Sequence, residues 1–146
     1  MSLINRGILY SPTYEYSKQE VIKQNNIRYY KFDDLLVPSV TSIIRLSRSN
    51  QSYNYSSKQA DSFEIGNLMH EYLDLYVTNK KIDYQGTENS RIATKLSEVI
   101  INNIFPKIDS FIATEATVHN NYNYAGTLDL LASIDNKLTI IDYKSS

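Results

Sequence analysis

The segment "AGTLDLLASIDNKLTIIDYKSS", residues 125–146, contains the residues best suited to chemistry. Asp129 lies in one apolar run, Asp142 lies in the next, and Lys144 follows two positions later. Asp135-Asn136 separates the two runs and suits a two-residue hairpin turn. Such a turn sets Ile134 opposite Lys137, and counting back from there brings Asp129 opposite Asp142. Facing partners on adjacent antiparallel strands have Cβ atoms about 4.5–5.5 Å apart. Lys144, two residues on, joins the same face. A four-residue turn keeps this register, whereas a three-residue turn sends one aspartate to the other face.

Two facing carboxylates among Leu128, Leu130, Ile140 and Ile141 repel each other and do not both stay ionised without a counter-charge. Lys144 offsets one charge, and a divalent cation offsets the other. Hard oxygen donors of this kind suit Mg²⁺ or Mn²⁺ with waters and a substrate phosphate. The chemistry implied is metal-assisted phosphodiester hydrolysis, with Lys144 orienting the attacking water or stabilising negative charge. The same three residues also fit an ion triad on a half-exposed sheet face.

The elements that must position these residues follow from pattern. "IRYYKF" (27–32) suits a short strand, and "VPSVTSIIRLS" (37–47) a loop and then a short helix. Pro38 keeps Val37 out of a helix, and Ser39 or Thr41 caps it. A helix is expected from about Ser57 to Asn79, with Ala60, Phe63, Leu68, Tyr72, Leu75 and Tyr76 near one stripe. A second is expected over 88–104 on Ile92, Leu96, Val99, Ile100 and Ile104, with Pro106 closing it. Alternation then gives three strands, "SFIATEATVHN", "YAGTLDLLASI" and "KLTIIDYK", joined by "NNYNY" and "DN". Two helices followed by an antiparallel meander make an α/β protein of α+β-like order.

The 146 residues suffice for one domain with a core of its own. It is read as an N-terminal extension (1–36), a helical part (37–104) and a meander carrying the site (109–146). Cysteine is absent, which excludes disulfides and zinc–thiolate sites. No apolar run approaches the ~20 residues that span a bilayer, and "MSLINRGILYSPTYEY" has no signal-peptide core. A soluble, intracellular, cytoplasmic protein is expected. The net charge of −1 carries no global field for nucleic acid. It is unevenly spread: residues 1–60 carry eight Lys/Arg against four Asp/Glu, and residues 61–146 seven against twelve. A basic first part beside an acidic second part suits a phosphate-binding surface next to a metal site, and equally suits ordinary scatter. The tyrosines of the first 26 residues suit stacking on unpaired bases or plain packing. His119 is read as a surface residue.

The ordered set of motifs resembles the PD-(D/E)XK nucleases, whose hairpin carries an acid on one strand and (D/E)-x-K on the next, here Asp129 and Asp142-Tyr143-Lys144. It is most similar to the RecB-like branch, which includes phage exonucleases and the mitochondrial genome maintenance exonuclease. That branch adds a G-x-x-x-H helix, here Gly66 and His70, a "PSVT" segment, here Pro38 to Thr41, and a Glu on the first meander strand, here Glu115. The resemblance covers roughly residues 37–146 and implies a restriction-endonuclease-like core. It implies a Mg²⁺- or Mn²⁺-dependent deoxyribonuclease acting on single strands or ends.

By the same resemblance His70, Asp129, Asp142 and the Tyr143 carbonyl hold metal, and Lys144 serves the attacking water. Glu115 positions metal or water, or caps the core edge. Ser39 and Thr41, helix caps by the residue reading, double as phosphate contacts. Members of that branch continue past D-x-K with a Q-x-x-x-Y helix and a further strand. The resemblance therefore implies a core truncated after D-x-K. Such a core is a fragment, is completed by a second copy or another chain, or has become an inactive nucleic-acid-binding or assembly module.

Overall fold

The computed structural model of the chain describes residues 18–48 and 57–145. Tyr10, Tyr14 and Tyr16, the base-stacking candidates, lie outside them, as does most of the polar stretch 48–57.

Asp135 and Asn136 both adopt positive φ (51° and 60°), the requirement of a tight type I′ turn. They join β5 (Tyr124–Ile134) to β6 (Lys137–Ile141) with Ile134 opposite Lys137, the register read from the sequence. β4 (Ser110–Asn120) pairs with the other edge of β5, giving an antiparallel sheet in the order β4-β5-β6. The turn between β4 and β5 places Asn121 and Tyr122 at positive φ. Exposed His119 supports it: its ring stacks on Tyr122 at 4.0 Å, and its Nδ1 accepts the Tyr122 N–H at 3.2 Å.

Residues 20–38, assigned almost no structure beyond one strand, form a second antiparallel sheet of three strands. These are β1 (Glu20–Gln24), β2 (Ile27–Phe32) and β3 (Leu35–Pro38). Asn25-Asn26, both at positive φ, make the first turn. β3 replaces the loop expected at Val37. Ser39 then caps α1 (Val40–Ser47), its Oγ accepting the Ser42 N–H at 3.1 Å.

α2 (Ser57–Val77) and α3 (Glu88–Asn103) cover one face of the β4–β6 sheet. Their core joins Leu68, Met69, Tyr72, Leu73, Tyr76 and Val77 to Phe105, Phe111, Leu130 and Tyr143. The expected α2 stripe holds only from Leu68 onward, because the first two turns leave the core and Phe63 is 57% exposed. On α3 the buried positions are Ser90, Ala93 and Ser97, while Ile92 and Val99 face outward. Small residues let α3 approach α2 closely, and buried Tyr72 and Ser90 hydroxyls meet at 2.6 Å. The two sheets meet where Ala125 of β5 is buried against Tyr30 and Val37, with Ser39 bridging to Ala125.

Candidate metal centre

Strict alternation along β4 and β5 would not build this site. In β4, Ile112 is an extra residue that shifts the register, so Phe111 and Ala113 lie in different clusters rather than on one face. Three residues on, Glu115 adopts φ 48°, strained for a residue with a side chain. Consecutive Thr114 and Glu115 both turn toward α2, where the Thr114 hydroxyl helps to lower the Asp74 carboxyl and Glu115 approaches His70. In β5, Asp129 and Leu130 do the same: Asp129 pairs with His70, and Leu130 enters the helix-facing core. The paired irregularity turns both acids toward the helix.

His70 comes from the middle of α2. Its Nδ1 lies 3.2 Å from Asp129 Oδ1 and 3.8 Å from Glu115 Oε1. Its Nε2 donates to the Tyr143 carbonyl at 3.1 Å. The Tyr143 N–H donates to Asp129 Oδ2 at 2.7 Å, so the backbone there serves a side chain instead of extending β6 as far as expected. Gly66, one turn before His70, lets this segment pass close to α2: a Cβ there would stand 3.2 Å from the Ser145 hydroxyl.

Hydrogen bonds to Asp129 and then Glu115 raise the His70 imidazole to about 10, against burial, which lowers it. Burial pushes the Asp129 carboxyl upward. The hydrogen bonds from His70 and the Tyr143 amide, with one shared with Asp142, outweigh it and hold Asp129 below the usual carboxylate range. In the ion-free protein a protonated His70 is thus the cation that reconciles two acids.

One ligand atom each from His70, Glu115 and Asp129 lies within 4.8 Å of the others. The donor set fits a hard divalent ion, and one imidazole with two carboxylates suits Mn²⁺ as well as Mg²⁺. The outer contacts fit too. A ligating histidine usually donates its second ring N–H to a carbonyl or carboxylate, and His70 does so to Tyr143, leaving Nδ1 toward the acids. Tyr143 therefore reaches the site through its backbone.

Asp142 lies one residue beyond the last paired position of β6, where the register continues to Asp129. Asp142 lies close enough to contribute to holding the Asp129 carboxyl below its usual range. Asp142 is not one of the triad, however. Its Oδ2 pairs with Lys144 Nζ at 2.7 Å, and both side chains are largely exposed (60% and 74%). The sequence-derived site is thus an inner triad, His70–Glu115–Asp129, and an outer ion pair, Asp142–Lys144. Ser39 and Thr41 are in neither. Ser39 is a buried cap, 3.3 Å from the Thr41 hydroxyl, and neither lines the cleft over the triad.

No protein-family model, no curated protein and no solved structure matches this chain.

The cleft, about 660 Å³, adds residues that pattern reading did not single out. Asp74 follows His70 by four positions and so shares its helix face. Burial raises its carboxyl, and Thr114 and Lys18 counter this. That spacing, "HEYLD", was the available signal. Arg28 and Lys18 also line the cleft. They had no such signal, because the docking of a second sheet brings them there.

Proposed function

We propose that the chain is a Mg²⁺- or Mn²⁺-dependent deoxyribonuclease with a restriction-endonuclease-like core, hydrolysing phosphodiester bonds in single strands or at ends. The observation that carries this reading is the convergence of His70, Glu115 and Asp129 from three different elements within 4.8 Å in an open cleft. His70, Glu115 and Asp129 would hold the ion, which would supply polarisation of the scissile phosphate and acidification of a water. The Tyr143 carbonyl fixes the imidazole, and the Tyr143 amide fixes Asp129. Lys144, presented by Asp142, orients the attacking water or offsets developing charge.

A second reading is a nuclease-like module that binds nucleic acid without cutting it. It is favoured by the exposure of Asp142 and Lys144, which lie outside the triad. End-labelled single-stranded DNA with Mn²⁺ separates the two. The nuclease reading expects cleavage by the native chain. Asp129→Asn then loses several kcal/mol of barrier lowering, on the order of 1,000-fold in rate, and Lys144→Ala also loses cleavage with the fold intact. DNA that is bound but left whole, with binding indifferent to Lys144→Ala, assigns the module instead.

A further inference from the structure

We infer that Arg28 is the substrate-positioning residue of this cleft, its guanidinium taking a phosphate oxygen of the strand that enters; the inference rests on the phosphodiester reading above. The cleft is divided by sign. Its α2 and β4–β5 wall carries Glu71, Asp74, Glu115 and Asp129, and its other wall carries Arg28 and Lys18. A polyanion approaching four acids is repelled unless cations face it on the way in.

Arg28 is also prepared for an anion. Its NH2 donates to the Tyr30 hydroxyl at 3.0 Å, and its guanidinium lies 5.5 Å from the centre of the Tyr30 ring. The Tyr30 hydroxyl in turn meets Thr127 Oγ1 at 2.7 Å. Thr127 is two residues from Asp129 on β5, so this chain of contacts ties the guanidinium to the strand that holds the metal ligand. Every link is neutral. Among the described residues no carboxylate lies within ion-pair distance of Arg28. An arginine with a full charge, a fixed stem and donors to spare is matched to phosphate geometry.

The test is fluorescence anisotropy of a labelled single-stranded oligonucleotide in Ca²⁺ over a range of salt, with calorimetric titration of Mn²⁺ in parallel. Arg28→Gln is expected to weaken binding about 10-fold and to flatten the salt dependence by about one contact, roughly 0.7 in slope. Arg28→Lys restores the slope and part of the affinity. Tyr30→Phe, which removes the supporting hydroxyl, falls between. Mn²⁺ affinity stays at the native value in all three, which also reports an intact fold. Arg28→Gln binding like the native chain at every salt, or a native chain that binds Mn²⁺ but no oligonucleotide, overturns the inference and spares the metal centre. Arg28-dependent binding by a chain that takes up no Mn²⁺ overturns the metal reading and spares the inference.

Discussion

His70 does in the ion-free protein what a divalent ion would do in the loaded one, and this sets its pH behaviour. Its folded value, about 10, lies above the ~6.5 of an unfolded histidine. The stabilisation it contributes is therefore complete below about pH 6.5 and is lost as the pH rises through 10. Asp129 runs the other way. Its carboxyl is held below the usual range, so its contribution is present above about pH 4 and lost on acidification. Thermal melts of EDTA-treated protein should be highest between about pH 4 and 6.5 and fall toward pH 10. His70→Gln should flatten the alkaline fall. Divalent ions compete with the His70 proton, so Mn²⁺ binding should release a proton, readable as a buffer-dependent enthalpy. Tyr143 offers a contrast. Its ring is buried, and its hydroxyl has no partner among the described residues. Nearby acids add to burial in pushing that hydroxyl far above the tyrosine range. Burying an unpaired hydroxyl costs about 1–3 kcal/mol, so Tyr143→Phe should be neutral or raise the melting temperature. Its backbone contacts remain, and Mn²⁺ affinity should not change.

At the scale of elements, the hairpin turn decides whether the Tyr143 backbone reaches His70 and Asp129. Asp135-Asn136 fixes the β5–β6 register, and a one-residue slip reverses every β6 side chain. Inserting Gly between Asp135 and Asn136 should therefore detach Asp142 from Asp129 and loosen the Tyr143 contacts. Mn²⁺ affinity should fall about 10- to 100-fold, the range for lost outer-shell support, with helix content by circular dichroism retained. The helices make a simpler case. The Thr87 side chain accepts the Ser90 N–H and caps α3, so Thr87→Ala should cost about 1 kcal/mol in urea unfolding. These features were legible because they are local. The DN turn, the Ser39 cap, the spans of β4 and β5 and the Gly66–His70 spacing each depend on residues a few positions apart. What alternation hid was the double departure from alternation at Thr114-Glu115 and Asp129-Leu130, where packing against α2 overrides the period of two. The α3 stripe was right for Leu96 and Ile100, which pack against the core, but its most buried positions are Ser90, Ala93 and Ser97, small residues that a count of apolar side chains passes over.

At the scale of the molecule, the site is composite. The β4–β6 sheet and α2 hold the triad, whereas β2 of the other sheet brings Arg28. The two sheets are joined by Ala125 against Tyr30 and Val37, the Ser39–Ala125 bridge, the Tyr30–Thr127 hydroxyl pair, the Gln19 amide on Thr117 Oγ1 at 3.0 Å, and the Phe32 ring edge-on to those of His119 and Tyr122. No stretch of sequence announces this joint, since its partners lie about a hundred positions apart. Ala125, 1% exposed, is buried at its centre between Tyr30 and Val37. Ala125→Leu inserts extra volume there, at a cost of about 1–3 kcal/mol, and the displacement falls between the sheets rather than within the triad. Hydrogen exchange should show β1–β3 amides losing protection while those of β4 and β5 keep theirs. Oligonucleotide affinity should fall with the displaced Arg28, while Mn²⁺ affinity shifts less than about twofold, since sites without shared partners respond nearly independently. Equal losses of both would mean that the joint and the metal centre behave as one rigid unit, and that the basic wall of the cleft cannot be moved without moving its acidic floor.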